Sequence, residues 1–362
     1  MIKKFILYLV LVVFVANSAL QVAQAEKVDQ LHLLYTLKEP IAIDYVFPFG
    51  EDVLVSISKA GVIKALNLSN GNIDTNLIPG KDVHVFSATQ LRDGNILITG
   101  LSDAKAQQHF SNVYKTIENK IVETGAMSGK RIAYSATLLN DGNVIFIGGE
   151  KYTLSKTENP VDRFLKIIEV FNSKTYKYEL SKDELIFPYT SHRAFELKDG
   201  RILIIGGFTD LKGVGFTEIY DRKHHTVKNV KSSLSLDAST LEVFQLDKNH
   251  LLISPEGCKV KIYNLVNFKP EIIPRQMCQN PKVHQEQMIK INKDELLILN
   301  GFDLFPKKTN FISVYSISKK KFYSVEPSLP ITRYQRKVVF AGGEIYSIEA
   351  NTVYQLILKD RK

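Results

Sequence analysis

Tryptophan is absent from this 362-residue chain, and cysteine occurs only twice. There is no G-x-S-x-G elbow and no His-Glu-x-x-His step, so the sequence offers no recognisable hydrolase nucleophile and no zincin motif. No glycine-rich loop opens a helix, which leaves no phosphate cradle, and no cofactor motif is found. Beyond the first residues, no apolar stretch is long enough to cross a bilayer as a helix. The net charge is +9, but no nucleic-acid-binding module accompanies it, which argues against a nucleic-acid partner. The lysines are scattered apart from Lys307-Lys308 and Lys319-Lys320-Lys321. Such short runs read as solvated turns, while the overall excess suits an acidic surface or polymer.

The composition, 44% hydrophobic and 23% charged, is that of a globular protein with a sizeable core. The chain opens MIKKFILYLVLVVFVANSALQVAQAEK. Lys3 and Lys4 precede the apolar run Phe5 to Ala16, and Ala23-Gln24-Ala25 is a small-x-small cleavage site. These three parts predict a secretory signal peptide over residues 1–25, a mature domain over residues 26–362 and a secreted or periplasmic location. No cysteine lies beside the cleavage site, which argues against a lipoprotein anchor.

Self-similarity dominates the remainder. FSATQLRDGNILITG, from Phe86, recurs as YSATLLNDGNVIFIGG, from Tyr134. Aligning on the turn that follows the first strand finds seven copies, at Glu51, Gly94, Gly142, Gly200, Asn249, Asp294 and Gly343. The widest interval, between Gly142 and Gly200, holds the polar insertion KYTLSKTENPVDRF, expected to be an extended loop. Asp-Gly steps supply the positive backbone angles of tight hairpins. The second strands are continuously apolar, as strands covered on both faces are. Third strands align as EVFNSKT, EIYDRKH, KIYNLVN, SVYSISK and TVYQLIL. Units of four short strands at a period of roughly 50 residues are propeller blades.

DGNVIFIGG and DGRILIIGG, followed by EVFNSKT and EIYDRKH, resemble kelch repeats, found also in the central propeller of galactose oxidase. The resemblance implies an all-β fold, a single propeller of seven four-stranded blades. Kelch blades usually carry a tryptophan near the outer strand; Tyr176, Tyr178, Phe322 and Tyr323 stand where it is missing. The copper chemistry of galactose oxidase is not implied, because no Tyr-His step occurs and the eight histidines are scattered. The last copy is too short for a fourth strand, whereas LHLLYTL, Leu31 to Leu37, is a spare strand ahead of the first copy. The N-terminal strand is therefore expected to complete the C-terminal blade, removing the exposed edges of an open array.

Ring closure gathers the entries of the first strands around the central channel. They supply Asp44 and Tyr45, His84, Arg131 and Tyr134, Tyr189, His192 and Arg193, His284 and Glu286, and Arg333, Tyr334, Gln335 and Arg336. Arginine offers a fork to an anion and tyrosine a flat face with a hydroxyl. Arg131, Tyr134, Tyr189, His192, Arg193, His284, Arg333 and Tyr334 are the candidate ligand-binding set, and their alternative role is to cap strands and bond neighbouring loops. Catalytic residues are not identified, and no metal site is expected. The leading expectation is a binding or interaction module for a protein or carbohydrate ligand, one with anionic groups among the candidates. The alternative is a carbohydrate-active enzyme, isomerase-, mutarotase- or oxidase-like, with its site at the channel mouth. Cys258 follows the second strand of the fifth copy and Cys278 its fourth, and the two are expected to pair in an oxidising compartment.

Overall fold

The computed structural model describes residues 30–80, 82–103, 108–128, 130–152, 163–208, 217–230, 242–254, 261–271, 287–299, 312–325, 337–349 and 351–358. They form seven four-stranded antiparallel sheets with no helix among the described residues. Blade 1 is β2 (Tyr45–Phe49), β3 (Val53–Ile57), β4 (Val62–Asn67) and β5 (Ile73–Leu77). Blade 2 is β6 (His84–Gln90), β7 (Ile96–Asp103), β8 (Gln108–Lys115) and β9 (Lys120–Glu123). Blade 3 is β11 (Ser135–Leu138), β12 (Val144–Ile147), β14 (Ile167–Asn172) and β15 (Lys177–Glu184), and it alone carries an extra two-stranded ribbon, β10 (Arg131–Ile132) with β13 (Glu150–Lys151). Blade 4 is β16 (Arg193–Glu196), β17 (Ile202–Ile205), β18 (Thr217–Asp221) and β19 (Thr226–Val230). Blade 5 is β20 (Glu242–Gln245), β21 (His250–Ser254), β22 (Lys261–Asn264) and β23 (Lys269–Glu271); blade 6 is β24 (Gln287–Lys290), β25 (Glu295–Leu299), β26 (Ile312–Ser316) and β27 (Lys321–Ser324).

The seventh blade is completed across the termini. Its order is β1 (Gln30–Thr36), β30 (Thr352–Ile357), β29 (Glu344–Glu349) and β28 (Lys337–Ala341). β1 is antiparallel to β30, with Leu33 opposite Tyr354 and Thr36 opposite Thr352. The expected closing strand is in place, one residue earlier than read from the sequence. The first strands neighbour one another around the ring, β6 by β11, β11 by β16, β20 by β24, β24 by β28 and β28 by β2. They are therefore the innermost strands.

The pleat explains the apolar second strands. In β12, Val144 and Phe146 pack with Leu97 and Val113 of blade 2, while Ile145 and Ile147 pack with Ile202 and Ile204 of blade 4. All four are buried, and each such side chain stabilises the ring by about 1.5–3 kcal/mol. The ring closes with Leu54 and Leu66 of blade 1 against Val339, Ile348 and Val353 of blade 7.

Polar side chains at the ends of first strands bind each blade to the one before it. Gln90 donates to the Pro48 carbonyl at 2.6 Å. At the equivalent station Glu196 accepts the Asn140 amide and Gln245 accepts the Lys198 amide. The hairpins after the first strands of blades 2 to 6 are capped by an acidic or amide side chain: Asp93, Asp141, Asp199, Asp247 and Asn292 accept the amide two residues on. The third-to-fourth-strand turns use the same device, with Asn172 accepting from Lys174 and Thr175 and Asp221 from Lys223 and His224. Of the missing-tryptophan residues, Tyr176 and Tyr178 pack on Phe171 at ring distances of 5.9 and 5.0 Å, and Phe322 packs on Tyr315 at 4.8 Å. Tyr323 lies beneath Lys319 and Lys321. Residues 153–162 of the insertion, and Cys258 and Cys278, lie outside the described residues.

Candidate functional site

The entries to the first strands share a backbone kink. Asp82, Ala133 and Ser191 have φ of 51°, 53° and 54°, a left-handed conformation uncommon for non-glycine residues. Each stands two residues ahead of β6, β11 or β16. The kink turns the following residue, Val83, Tyr134 or His192, into the seam with the preceding blade. Val83 packs so tightly on Gly61 that a Cβ there would lie 2.6 Å from Val83 Cγ1. The Tyr134 hydroxyl is hydrogen-bonded to Thr99 Oγ1 of blade 2 at 2.6 Å, and His192 Nε2 to Ser135 Oγ of blade 3 at 2.9 Å. Burial, with a smaller push from Arg131 and then Arg193, lowers the His192 pKa to about 3, so the ring is neutral. The Tyr134 phenol is pushed up, chiefly by burial.

Arg131 is sealed, with 0% of its surface exposed. Its Nη2 meets Glu169 Oε2 at 2.9 Å, and its Nη1 donates to the Gly148 and Ile167 carbonyls at 3.3 and 3.4 Å. Glu169 Oε1 also accepts the Ser128 amide at 2.8 Å. Burial works against the guanidinium charge, and Glu169 is the main group holding it. One blade on, Glu218 occupies the same third-strand station. It accepts the Ile186 and Phe187 amides at 3.1 and 2.9 Å and the Tyr189 hydroxyl at 3.1 Å. Burial raises the Glu218 carboxyl, and burial together with that carboxylate raises the Tyr189 phenol. Each glutamate thus fastens the chain entering its own blade. Of the expected set, Arg131, Tyr134, Tyr189 and His192 are brought together here: Tyr134 and His192 bond to the preceding blade, while Arg131 and Tyr189 bond to the glutamate of their own blade. Each of these four side chains has a partner within the protein.

Arg193 and His84 remain exposed at the same end of the ring. Asp44 accepts the Lys59 amide at 3.1 Å, and Tyr45 donates to the Phe86 carbonyl at 2.9 Å, its pKa raised to about 12 by burial and then by Asp44. His284, Glu286, Arg333, Tyr334, Gln335 and Arg336 lie outside the described residues. Among the described residues, no group of three or more His, Cys, Asp or Glu is placed to hold a metal ion, and no helix is long and apolar enough to cross a membrane.

Sequence reasoning missed two features of this end. Glu169 and Glu218 were visible as the shared first residue of EVFNSKT and EIYDRKH, where blades 5 and 6 have Lys261 and Ser313. The cluster of Phe86, His109 and Tyr152 had no motif to betray it. His109 lies 6.3 Å from Phe86 and 6.0 Å, edge to face, from Tyr152.

Two solved structures share this architecture. Virginiamycin B lyase from Staphylococcus aureus, itself a seven-bladed β-propeller, superposes with a TM-score of 0.60 at 14% identity, covering 91% of this chain and 99% of that one. A streptogramin B lyase superposes with a TM-score of 0.58 at 12% identity, covering 91% and 97%. At these identities the likeness is one of fold. No family model matches the chain, and no curated protein matches it in sequence.

Proposed function

We propose that the chain is an exported, kelch-type propeller that works as a binding module, presenting a protein or carbohydrate ligand with the end of the ring where the first strands begin. One observation carries this reading. The groups suited to acid–base chemistry at that end, Arg131, Tyr189, His192, Glu169 and Glu218, are buried and bonded to other groups of the protein, His192 across the seam to blade 3 and the others within their own blades. The groups left exposed there, His84, Lys130, Arg193 and the 44%-exposed Phe208, are recognition groups. Aromatic and cationic side chains bind without reacting. The leader sequence supports export and removal of residues 1–25. Thermal-shift measurements on residues 26–362 against neutral and acidic glycans test the reading, since a ligand raises the melting temperature by mass action. A rise with one glycan class supports it; no rise with any of them counts against a carbohydrate ligand.

The structural neighbours favour a second reading, a lyase. Its test is direct: incubation with a streptogramin B antibiotic and mass analysis of the product. Consumption of the antibiotic replaces the binding reading with an enzymatic one.

A further inference from the structure

Blade 2 presents one row of side chains toward blade 3 at the channel mouth. His84 stands opposite Leu101, and Leu101 opposite His109, so the three share a face of the sheet. Thr99, two residues before Leu101 and therefore on the same face, reaches Tyr134 of blade 3. Leu101 is buried, His109 is half-buried and His84 is exposed. From the other side comes the β10–β13 ribbon that only blade 3 carries among the described residues. Its pairing continues past the strands, with the Tyr152 amide donating to the Lys130 carbonyl at 3.1 Å. Arg131 is opposite Lys151 in that register, so Lys130 is opposite Tyr152. The ribbon thereby brings exposed Lys130 beside half-exposed Tyr152, whose ring stands edge to face with His109, itself next to Phe86.

Three properties of this notch ask for a ligand. Lys130 has no acidic partner among the described residues. The buried Nε2 of His109 has no hydrogen-bond partner there either, and an orphaned buried nitrogen is a cost that nothing in the fold offsets. Burial, with Lys130 second, also holds His109 below its ordinary pKa, which favours its neutral form. The walls are rings, which suit the C–H face of a sugar better than a flexible peptide.

Resting on the binding-module reading, we infer that the notch formed by His84, Phe86, His109, Lys130 and Tyr152 binds an acidic sugar: the pyranose ring lies on Tyr152, a carboxylate meets Lys130, and a hydroxyl reaches His109. A carboxylate at an exposed lysine adds roughly two- to fivefold in affinity, and this contribution falls as salt is added.

The test is calorimetric titration of residues 26–362 with a galacturonate tetramer, its fully methyl-esterified counterpart, and citrate. The ester keeps the ring shape without charge, and citrate keeps charge without a ring. The tetramer is expected to bind more tightly than either, by roughly two- to fivefold over the ester. Lys130→Gln, a change at an exposed position, should remove the preference for the acid over the ester. Tyr152→Leu should weaken both, and Lys319→Gln/Lys320→Gln should change neither. Binding of the tetramer that survives Lys130→Gln and Tyr152→Leu overturns this site while leaving the binding module intact. Equal binding of acid and ester, or tighter binding of citrate, overturns the ligand class. Failure of all three probes to bind overturns the inference; the separate glycan panel then shows whether the binding-module reading falls with it.

Discussion

Acid should unfasten the seam between blades 3 and 4 through His192. Its ring is buried, bonded to Ser135 Oγ through Nε2, and lies beside Tyr189 at 5.8 Å between ring centres. Nδ1 has no partner among the described residues. The Gly148 and Gly207 backbones close over it; a Cβ at either would come within 2.9 Å of the His192 side chain. Protonation places a charge there with no carboxylate bonded to it, and Arg131 and Arg193 oppose it. The folded pKa of about 3 lies below the ordinary histidine value of 6.5, so the unfolded chain takes up the proton first. The stability from keeping His192 neutral is therefore complete above pH 6.5 and drains away as pH falls toward 3. The slope is about 1.4 kcal/mol per pH unit, or roughly 2 kcal/mol lost by pH 5. His192→Gln retains a hydrogen-bonding group for Ser135 and cannot titrate. Whatever its fixed cost, the variant should lose less stability than wild type between pH 7.5 and pH 5, by that same 2 kcal/mol. Urea unfolding followed by far-ultraviolet circular dichroism measures both, since the chain has no tryptophan to report by fluorescence. Parallel stability curves for the two proteins across that range would refute the reasoning.

Glu169→Ala strands the buried Arg131 charge and should cost about 3–5 kcal/mol, read as a lower urea midpoint, whereas Arg131→Met/Glu169→Leu should recover most of the loss; a single-variant cost below about 1 kcal/mol contradicts the assigned role of the pair. Deleting residues 26–37 removes β1 and bares the edge of β30, so the truncated protein should aggregate, as light scattering will show; a soluble, equally stable product argues that the ring does not need this closure. Thiol titration of denatured, unreduced protein should find no free thiol if Cys258 and Cys278 pair, and two per chain if they do not.

The blade count, the strand order and the joining of the termini were legible in the sequence because they rest on local, repeated chemistry. Asp at the hairpins, Asn or Asp at the outer turns and unbroken apolar second strands each act within a few residues, and each recurs at the blade period. The closing strand could be read from a shortage in the last copy and a surplus before the first. The roles of the entry residues were not legible. Arg131, Tyr134, Tyr189 and His192 have the side chains of a binding site, and only their orientation makes them ties within and between blades. That orientation depends on left-handed backbone at Ala133 and Ser191, residue types that carry no sequence signal for it. It depends also on Glu169 and Glu218 arriving from strands far along the chain. The notch at His109 is likewise tertiary: Phe86 and His109 meet across blade 2, and only the packing of blade 3 on blade 2 brings the Tyr152 ring 6.0 Å from His109.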